Sequence, residues 1–203
     1  MFQRKIGILG GTFDPVHVGH LIVAQTTREI FELNCVMFIP CATPPHKCAK
    51  DLCNANHRLA MIQMATEWNT EFEVSDIEIQ RSGKSYAIDT VKILNSEHPD
   101  AEIYFIIGSD TLKQLHTWRN IYDLLPLCRF ITFARTGHDD MSPEGLNLDD
   151  PWPRRLLDDV IVGRHMDISS TEIRYRIAEG LSIKYLVPPE VEMYIAEHNL
   201  YEG

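Results

Sequence analysis

No apolar run in this chain approaches the roughly 18 residues that a membrane-spanning helix requires. No membrane partner is therefore expected. The start, Met1-Phe2-Gln3-Arg4-Lys5, leads into an apolar stretch of four residues before Gly10-Gly11, too short for the core of a signal peptide. A cytoplasmic location is the expectation. There is no basic excess: 19 Lys and Arg stand against 29 Asp and Glu, a formal net charge of −10. Nucleic acid is not an expected partner, because duplex binders present a basic face. Much of the acid sits at Asp139, Asp140, Glu144, Asp149, Asp150, Asp158 and Asp159. The rest of the chain is only mildly acidic, so an anionic substrate stays compatible. There is no Cys-x-x-Cys pair. Cys35, Cys41, Cys48, Cys53 and Cys128 are odd in number and irregular in spacing, as expected of reduced thiols. Cys41, His46, Cys48, Cys53 and His57 crowd together, but without short ligand spacings they are not expected to hold zinc. Neither G-x-G-x-x-G nor G-x-x-x-x-G-K-S/T occurs. No internal repeat or low-complexity tract is present.

What is present alternates between two hydrophobic periods. Lys5 to Leu9 reads as a buried strand, Val18 to Leu33 as a helix, and Cys35 to Ile39 as a second strand stopped by Pro40. Ala55 to Trp68 reads as a helix, with Met61, Met64, Ala65 and Trp68 on one face. Phe72 to Ile79 alternates like a half-buried strand. Tyr86 to Asn95 is helical, and Glu102 to Ile107 and Arg129 to Ala134 are buried strands. Thr136 to Pro153 lacks periodicity and reads as a surface loop. Val160 to Gly163 is a short strand, Thr171 to Glu179 a helix, and Pro188-Pro189 opens the last helix. Strands alternating with helices imply an α/β fold, a parallel sheet covered on both faces. The expected organisation is one domain over 1–203, a core to about 165 and a small C-terminal helical portion over about 166–203.

The chemistry starts where the first strand ends, at Gly10-Gly11-Thr12-Phe13-Asp14-Pro15-Val16-His17-Val18-Gly19-His20. A glycine turn lets backbone N–H groups approach a phosphate, and the helix that follows adds a partial positive charge. His17 and His20 can both donate to one phosphate group. Further along stand Pro40-Cys41-Ala42-Thr43-Pro44-Pro45-His46-Lys47, Ser85-Tyr86-Ala87-Ile88-Asp89-Thr90, Ile107-Gly108-Ser109-Asp110 and Leu115-His116-Thr117-Trp118-Arg119. Last come Phe133-Ala134-Arg135-Thr136-Gly137 and Ile168-Ser169-Ser170-Thr171-Glu172-Ile173-Arg174. Ser169 and Glu172 also fit a capping box, which by itself asks for nothing beyond a helix start.

This series resembles the nicotinate mononucleotide adenylyltransferase family of the H-x-G-H nucleotidyltransferases, in order and over nearly the whole chain. The H-x-G-H part is shared with pantetheine-phosphate adenylyltransferases, cytidylyltransferases and class I aminoacyl-tRNA synthetases, so the narrower likeness rests on the other segments. Two positions depart from the family pattern: Ala87 replaces a threonine, and Thr136 replaces a proline after Arg135. The resemblance implies a Rossmann-like doubly wound parallel sheet whose ligands lie at the carboxyl ends of the strands flanking the switch point. It implies ATP and nicotinate mononucleotide as substrates, with nicotinate adenine dinucleotide and pyrophosphate as products in NAD biosynthesis. By the same resemblance His17, His20, Lys47 and Arg174 are the catalytic set. Gly10, Gly11, Thr12, Phe13, Gly108, Asp110, Ser169, Ser170 and Thr171 hold ATP, and His46, Ala87, Trp118, Arg119 and Arg135 hold the mononucleotide. Mg²⁺ is expected to travel with ATP, since no cage of carboxylates stands out.

Two other readings compete. One is a different H-x-G-H adenylyltransferase, with nicotinamide mononucleotide or phosphopantetheine as acceptor; Trp118 and the segment Ser85 to Thr90 favour nicotinate. The other is a non-catalytic nucleotide sensor, which the intact set His17, His20 and Arg174 argues against. A synthetase is not expected, since no K-M-S-K-S segment exists.

Overall fold

Strand runs that are apolar at nearly every position need cover on both faces, and this sheet has it. The computed structural model describes residues 3–44, 52–81, 83–134, 141–162 and 167–202. These form strands β1 (Arg4–Gly11), β2 (Cys35–Pro40), β3 (Phe72–Val74), β4 (Ala101–Gly108), β5 (Arg129–Ala134) and β6 (Val160–Val162). The strand order is β3-β2-β1-β4-β5-β6 and every pair is parallel. The order reverses between β1 and β4, where the crossovers leave in opposite directions and a crevice opens at the carboxyl ends. The α/β doubly wound expectation holds.

The helices are α1 (Val18–Phe31), α2 (Ala55–Thr66), α3 (Ile77–Gln80), α4 (Ala87–Glu97), α5 (Ser109–Gln114) and α6 (Ile121–Leu124), then α7 (Trp152–Leu157), α8 (Ser170–Ala178) and α9 (Pro189–Glu197). Alternate strand residues feed two cores. Ile6, Ile8, Met37, Ile39, Ile103, Phe105 and Ile107 meet Ile88, Val91 and Leu94 of α4. Val36, Phe38, Tyr104, Ile106, Ile131 and Phe133 meet Ala24 of α1, Met61 and Ile62 of α2, and Ile173, Val191 and Ile195 of α8 and α9. Each Val, Leu, Ile, Phe or Met among them, fully buried, contributes about 1.5–3 kcal/mol. The C-terminal helices thus share a core with the sheet. Among the described residues no helix is long and apolar enough to cross a membrane.

Three expectations give way. The helix read as Ala55 to Trp68 stops at Thr66, whose hydroxyl donates to the Ile62 carbonyl, and the chain turns through Asn69. Trp68 is 83% exposed, so it does not belong to the buried face. That face is Arg58, Met61, Ile62 and Thr66. The strand read as Phe72 to Ile79 ends at Val74, and Ile77 to Gln80 turn into α3. Alternation there reflects Glu78, buried because Thr90 donates to its carboxylate at 2.6 Å. The stretch read as a surface loop, Thr136 to Pro153, buries Leu146 in the core, carries a short 3₁₀ turn at Pro143–Gly145 and begins α7 at Trp152; residues 135–140 lie outside the described residues.

At α8 the expected cap is present. The Ser169 hydroxyl oxygen accepts from the Glu172 N–H at 3.1 Å, and Ile173 then reaches the core. Ser169→Ala is expected to lower stability by about 1 kcal/mol, read as a shift of the urea midpoint with unchanged slope.

Candidate active site

The crevice between β1 and β4 is entered by the loop from Gly11 to His17. His17 is the N-cap of α1 with extended backbone, which brings its ring alongside that of His20 one turn on. The two imidazoles stack, centroids 3.6 Å apart and planes 26° off parallel. The His17 backbone N–H donates to His20 Nδ1 at 3.2 Å. An accepting Nδ1 leaves the ring proton of a neutral His20 on Nε2, a donor suited to a phosphate oxygen. Phe13, buried and with φ of +50°, packs its ring edge-on to His20 at 4.9 Å. Gly19 makes the stack possible: a Cβ there would meet His17 Nδ1 at 3.0 Å and Cε1 at 3.1 Å. The glycine of H-x-G-H is thus a matter of space beside the first histidine.

A loop without regular hydrogen bonding needs other supports, and four side chains supply them. Arg58 is 1% exposed and spends its guanidinium on main-chain carbonyls. Nη1 donates to Thr12 at 2.6 Å, Nη2 to Cys41 at 2.8 Å, and Nε to Cys53 at 3.0 Å. The Ser170 hydroxyl donates to the Pro15 carbonyl at 2.9 Å, and Arg174 Nη1 to the Asp14 carbonyl at 2.8 Å. The Tyr201 hydroxyl donates to Asp14 Oδ1 at 2.8 Å. The start of α8 is thereby joined to the histidine loop. The Ser170 hydroxyl hydrogen is committed to the Pro15 carbonyl.

Leu9, His17, Gly19, His20, Val23, Gly108, Phe133 and Ile168 are among the residues that line a cleft of about 90 Å³. That is less than the roughly 300 Å³ or more of a typical ligand pocket, so a nucleotide would lie partly over the strand ends. Gly108 caps α5, and Asp110 stands exposed in its first turn. A larger depression, about 620 Å³, lies at the amino ends of β4 and β5 among Asn95, Glu102, Arg129, Trp152, Arg155 and Asp159. Size alone would favour it, but its lining includes none of the glycine, histidine or Ser169–Arg174 motif segments.

The segments expected to hold the acceptor also meet. Ser85 bridges to the chain after β2: its Oγ accepts from the Ala42 N–H at 3.1 Å, and its N–H donates to the Thr43 carbonyl at 3.0 Å. Arg119 lies over the Tyr86 ring, 4.5 Å from its centroid, which joins the start of α4 to the segment after α5. Half-buried Trp118 packs edge-on against Phe105 at 5.5 Å and Phe130 at 6.4 Å. It is anchored in the core as well as placed beside Arg119. Ala87 opens α4. His46, Lys47 and Arg135 lie outside the described residues. Of the cysteine and histidine group near them, Cys41 and Cys53 have thiols pushed up by burial, and His57 Nδ1 lies 2.9 Å from the Tyr194 hydroxyl.

Sequence reasoning missed three supports: Arg58, Asp14 as a buried carboxylate, and Tyr201. Arg58 had a signal, since it falls on the Met61, Ile62 and Thr66 face of α2. Arg58→Leu is expected to cost about 3 kcal/mol or more, because buried carbonyls at Thr12, Cys41 and Cys53 lose their donor. Chemical denaturation measures the loss.

Comparison with known proteins agrees with this geometry. Residues 8–176 match the cytidylyltransferase-like family model. The chain is 44% identical over 201 residues to a Desulfitobacterium hafniense protein described as a probable nicotinate-nucleotide adenylyltransferase, covering 98% of this chain and 96% of that one. A Halalkalibacterium halodurans protein so described is also 44% identical, over 98% of this chain and 92% of its own. The fold is similar to that of Plasmodium falciparum nicotinic acid mononucleotide adenylyltransferase complexed with NaAD, with a TM-score of 0.77, 22% identity and coverage of 98% and 97%. With full-length likeness at this level and the histidine pair in the crevice of a doubly wound sheet, the chain belongs to the nicotinate-nucleotide adenylyltransferase family.

Proposed function

We propose that this chain transfers the adenylyl group of ATP to nicotinate mononucleotide, forming nicotinate adenine dinucleotide and releasing pyrophosphate in NAD biosynthesis. The observation that carries the reading is the stacked pair His17 and His20 at the β1/β4 crevice, on a loop that Arg174 also grips. A phosphate oxygen of the mononucleotide attacks the α-phosphorus of ATP in line. One P–O bond forms, the bond to the β-phosphate bridging oxygen breaks, and pyrophosphate leaves with the electron pair. The attacking oxygen is already anionic, so no general base and no protein nucleophile are needed. Catalysis comes from positioning and from charge stabilisation.

In this reading His20 and His17 hold the transferring phosphate. Gly10, Gly11, Thr12 and Phe13 line its approach through the backbone, and Gly108 and Asp110 face the nucleotide. The backbone N–H groups of Ser170 and Thr171 at the start of α8, capped by Ser169, receive the departing pyrophosphate with Arg174. Lys47, placed by resemblance, adds positive charge. His46, Ala87, Trp118, Arg119 and Arg135 receive the mononucleotide. Tyr86 beneath the Arg119 guanidinium and Trp118 braced on Phe105 support a rigid acceptor platform. Mg²⁺ would neutralise triphosphate charge and arrive with ATP. The nearby Asp14 is a single buried carboxylate, its Oδ1 held by Tyr201 and the Cys53 N–H and its Oδ2 facing Arg174, which supports delivery with the nucleotide over a protein cage.

Pyrophosphate release with ATP and three acceptors tests the reading. Nicotinate mononucleotide should exceed its amide by about tenfold or more in kcat/KM, roughly 1.4 kcal/mol, and phosphopantetheine should be inert. Equal use of the amide contradicts acid preference. In the same assay His20→Ala should lower kcat far more than it raises KM for the mononucleotide, the pattern of a contact tightened in the transition state. A parental kcat would reduce His20 to a helix-start residue.

A further inference from the structure

The histidine loop carries a charged group that the transfer chemistry leaves unused. Asp14 is 2% exposed, and a buried carboxylate is costly unless it is hydrogen-bonded and paired. Its Oδ1 accepts from the Tyr201 hydroxyl at 2.8 Å and from the Cys53 N–H at 3.3 Å. Oδ2 stands in a long ion pair with Arg174 Nη1, at 3.8 Å and beyond hydrogen-bond length, and among the described residues this buried oxygen accepts no hydrogen bond. The same Nη1 donates at 2.8 Å to the carbonyl of Asp14 itself. Arg174 therefore holds the loop by its main chain, although a carboxylate stands beside it.

A guanidinium next to a carboxylate ordinarily closes on it as a bidentate pair. Here two neutral donors, Tyr201 and the Cys53 N–H, hold the carboxylate by its other oxygen. The tyrosine suits this task. Burial, and then the charge of Asp14, push its pKa upward, so it remains a protonated donor. Its backbone sits at φ of +66°, in the left-handed region that an aromatic residue occupies only where surrounding contacts demand it. It lies 187 positions from Asp14 in sequence, just beyond α9.

We propose that Tyr201 is a positioning residue for adenylyl transfer: its hydroxyl keeps the Asp14 carboxylate from capturing Arg174, whose remaining N–H donors stay directed to the departing pyrophosphate. The proposal rests on the adenylyl-transfer reading above. Binding of a non-hydrolysable ATP analogue, measured by calorimetry on the full chain without acceptor, tests it independently of the acceptor's identity. A parent that binds the analogue but transfers nothing to nicotinate mononucleotide overturns the reaction reading and with it a role in transfer. Tyr201→Phe should weaken analogue binding about tenfold, while KM for the mononucleotide stays within about twofold of the parent. In an Arg174→Ala background the same substitution should change analogue binding by less than about twofold, because Tyr201 acts through Arg174. Adding Asp14→Asn to Tyr201→Phe should restore most of the lost binding, since no carboxylate remains to capture the arginine. Thermal melts of every variant fix a temperature at which all are folded, and binding is compared there; the dependence of the loss on Arg174 then separates a positioning tyrosine from a structural one, whose loss would persist in the Arg174→Ala background. Parental binding by Tyr201→Phe, a full loss persisting without Arg174, or no rescue by Asp14→Asn overturns the proposal.

Discussion

Everything at this site depends on holding two imidazole rings 3.6 Å apart on a segment that belongs to neither strand nor helix at its start. A Cβ at position 19 would crowd the His17 ring at 3.0 and 3.1 Å and push it from the stack. The spacing requires His17 to stand at the cap while His20 stands one turn inside the helix. A loop of this kind would fluctuate if only its ends were fixed. It is instead tied at Thr12, Asp14 and Pro15 by side chains from α2, α8 and the end of the chain. The cost of ordering is met at folding, so in the proposed reading a nucleotide meets donors already in place.

The same ties explain why the C-terminal segment packs into the main core. Ile173, Val191 and Ile195 share a cluster with Phe38, Ile106 and Ile131 of the sheet. That packing fixes where Ser170, Arg174 and Tyr201 sit relative to β1. The start of α8 therefore serves both as a capped helix and as a bracket on the histidine loop.

The sheet was legible because its strands are apolar on both faces, so their runs at Ile6 to Leu9, Cys35 to Ile39 and Ile103 to Ile107 need no alternation to be seen. The histidine loop was legible because a glycine pair that closes a strand, followed at fixed spacing by two histidines at a helix start, matches what a phosphate group requires of its donors. The failures have physical causes. Trp68 continues the period of α2 but lies past the helix end at Thr66, inside the turn closed by the Asn69 N–H on the Thr66 carbonyl, where period no longer reports burial. Glu78 mimics an alternating strand because a buried carboxylate held by Thr90 looks polar in sequence. Arg58 was overlooked despite its place on the buried face of α2, because an arginine whose partners are main-chain carbonyls leaves no acidic partner to find. The contact of Tyr201 with Asp14 was not legible, since no local pattern links the two residues.

The central claim is that substrates occupy the carboxyl ends of β1 and β4 and not the larger depression at the amino ends of β4 and β5. Hydrogen exchange of the full chain with and without nicotinate adenine dinucleotide addresses it directly. The account predicts that added protection is concentrated in residues 12–20, 108–110 and 169–174. Protection confined to 95–103, 125–130 and 152–159 would contradict it.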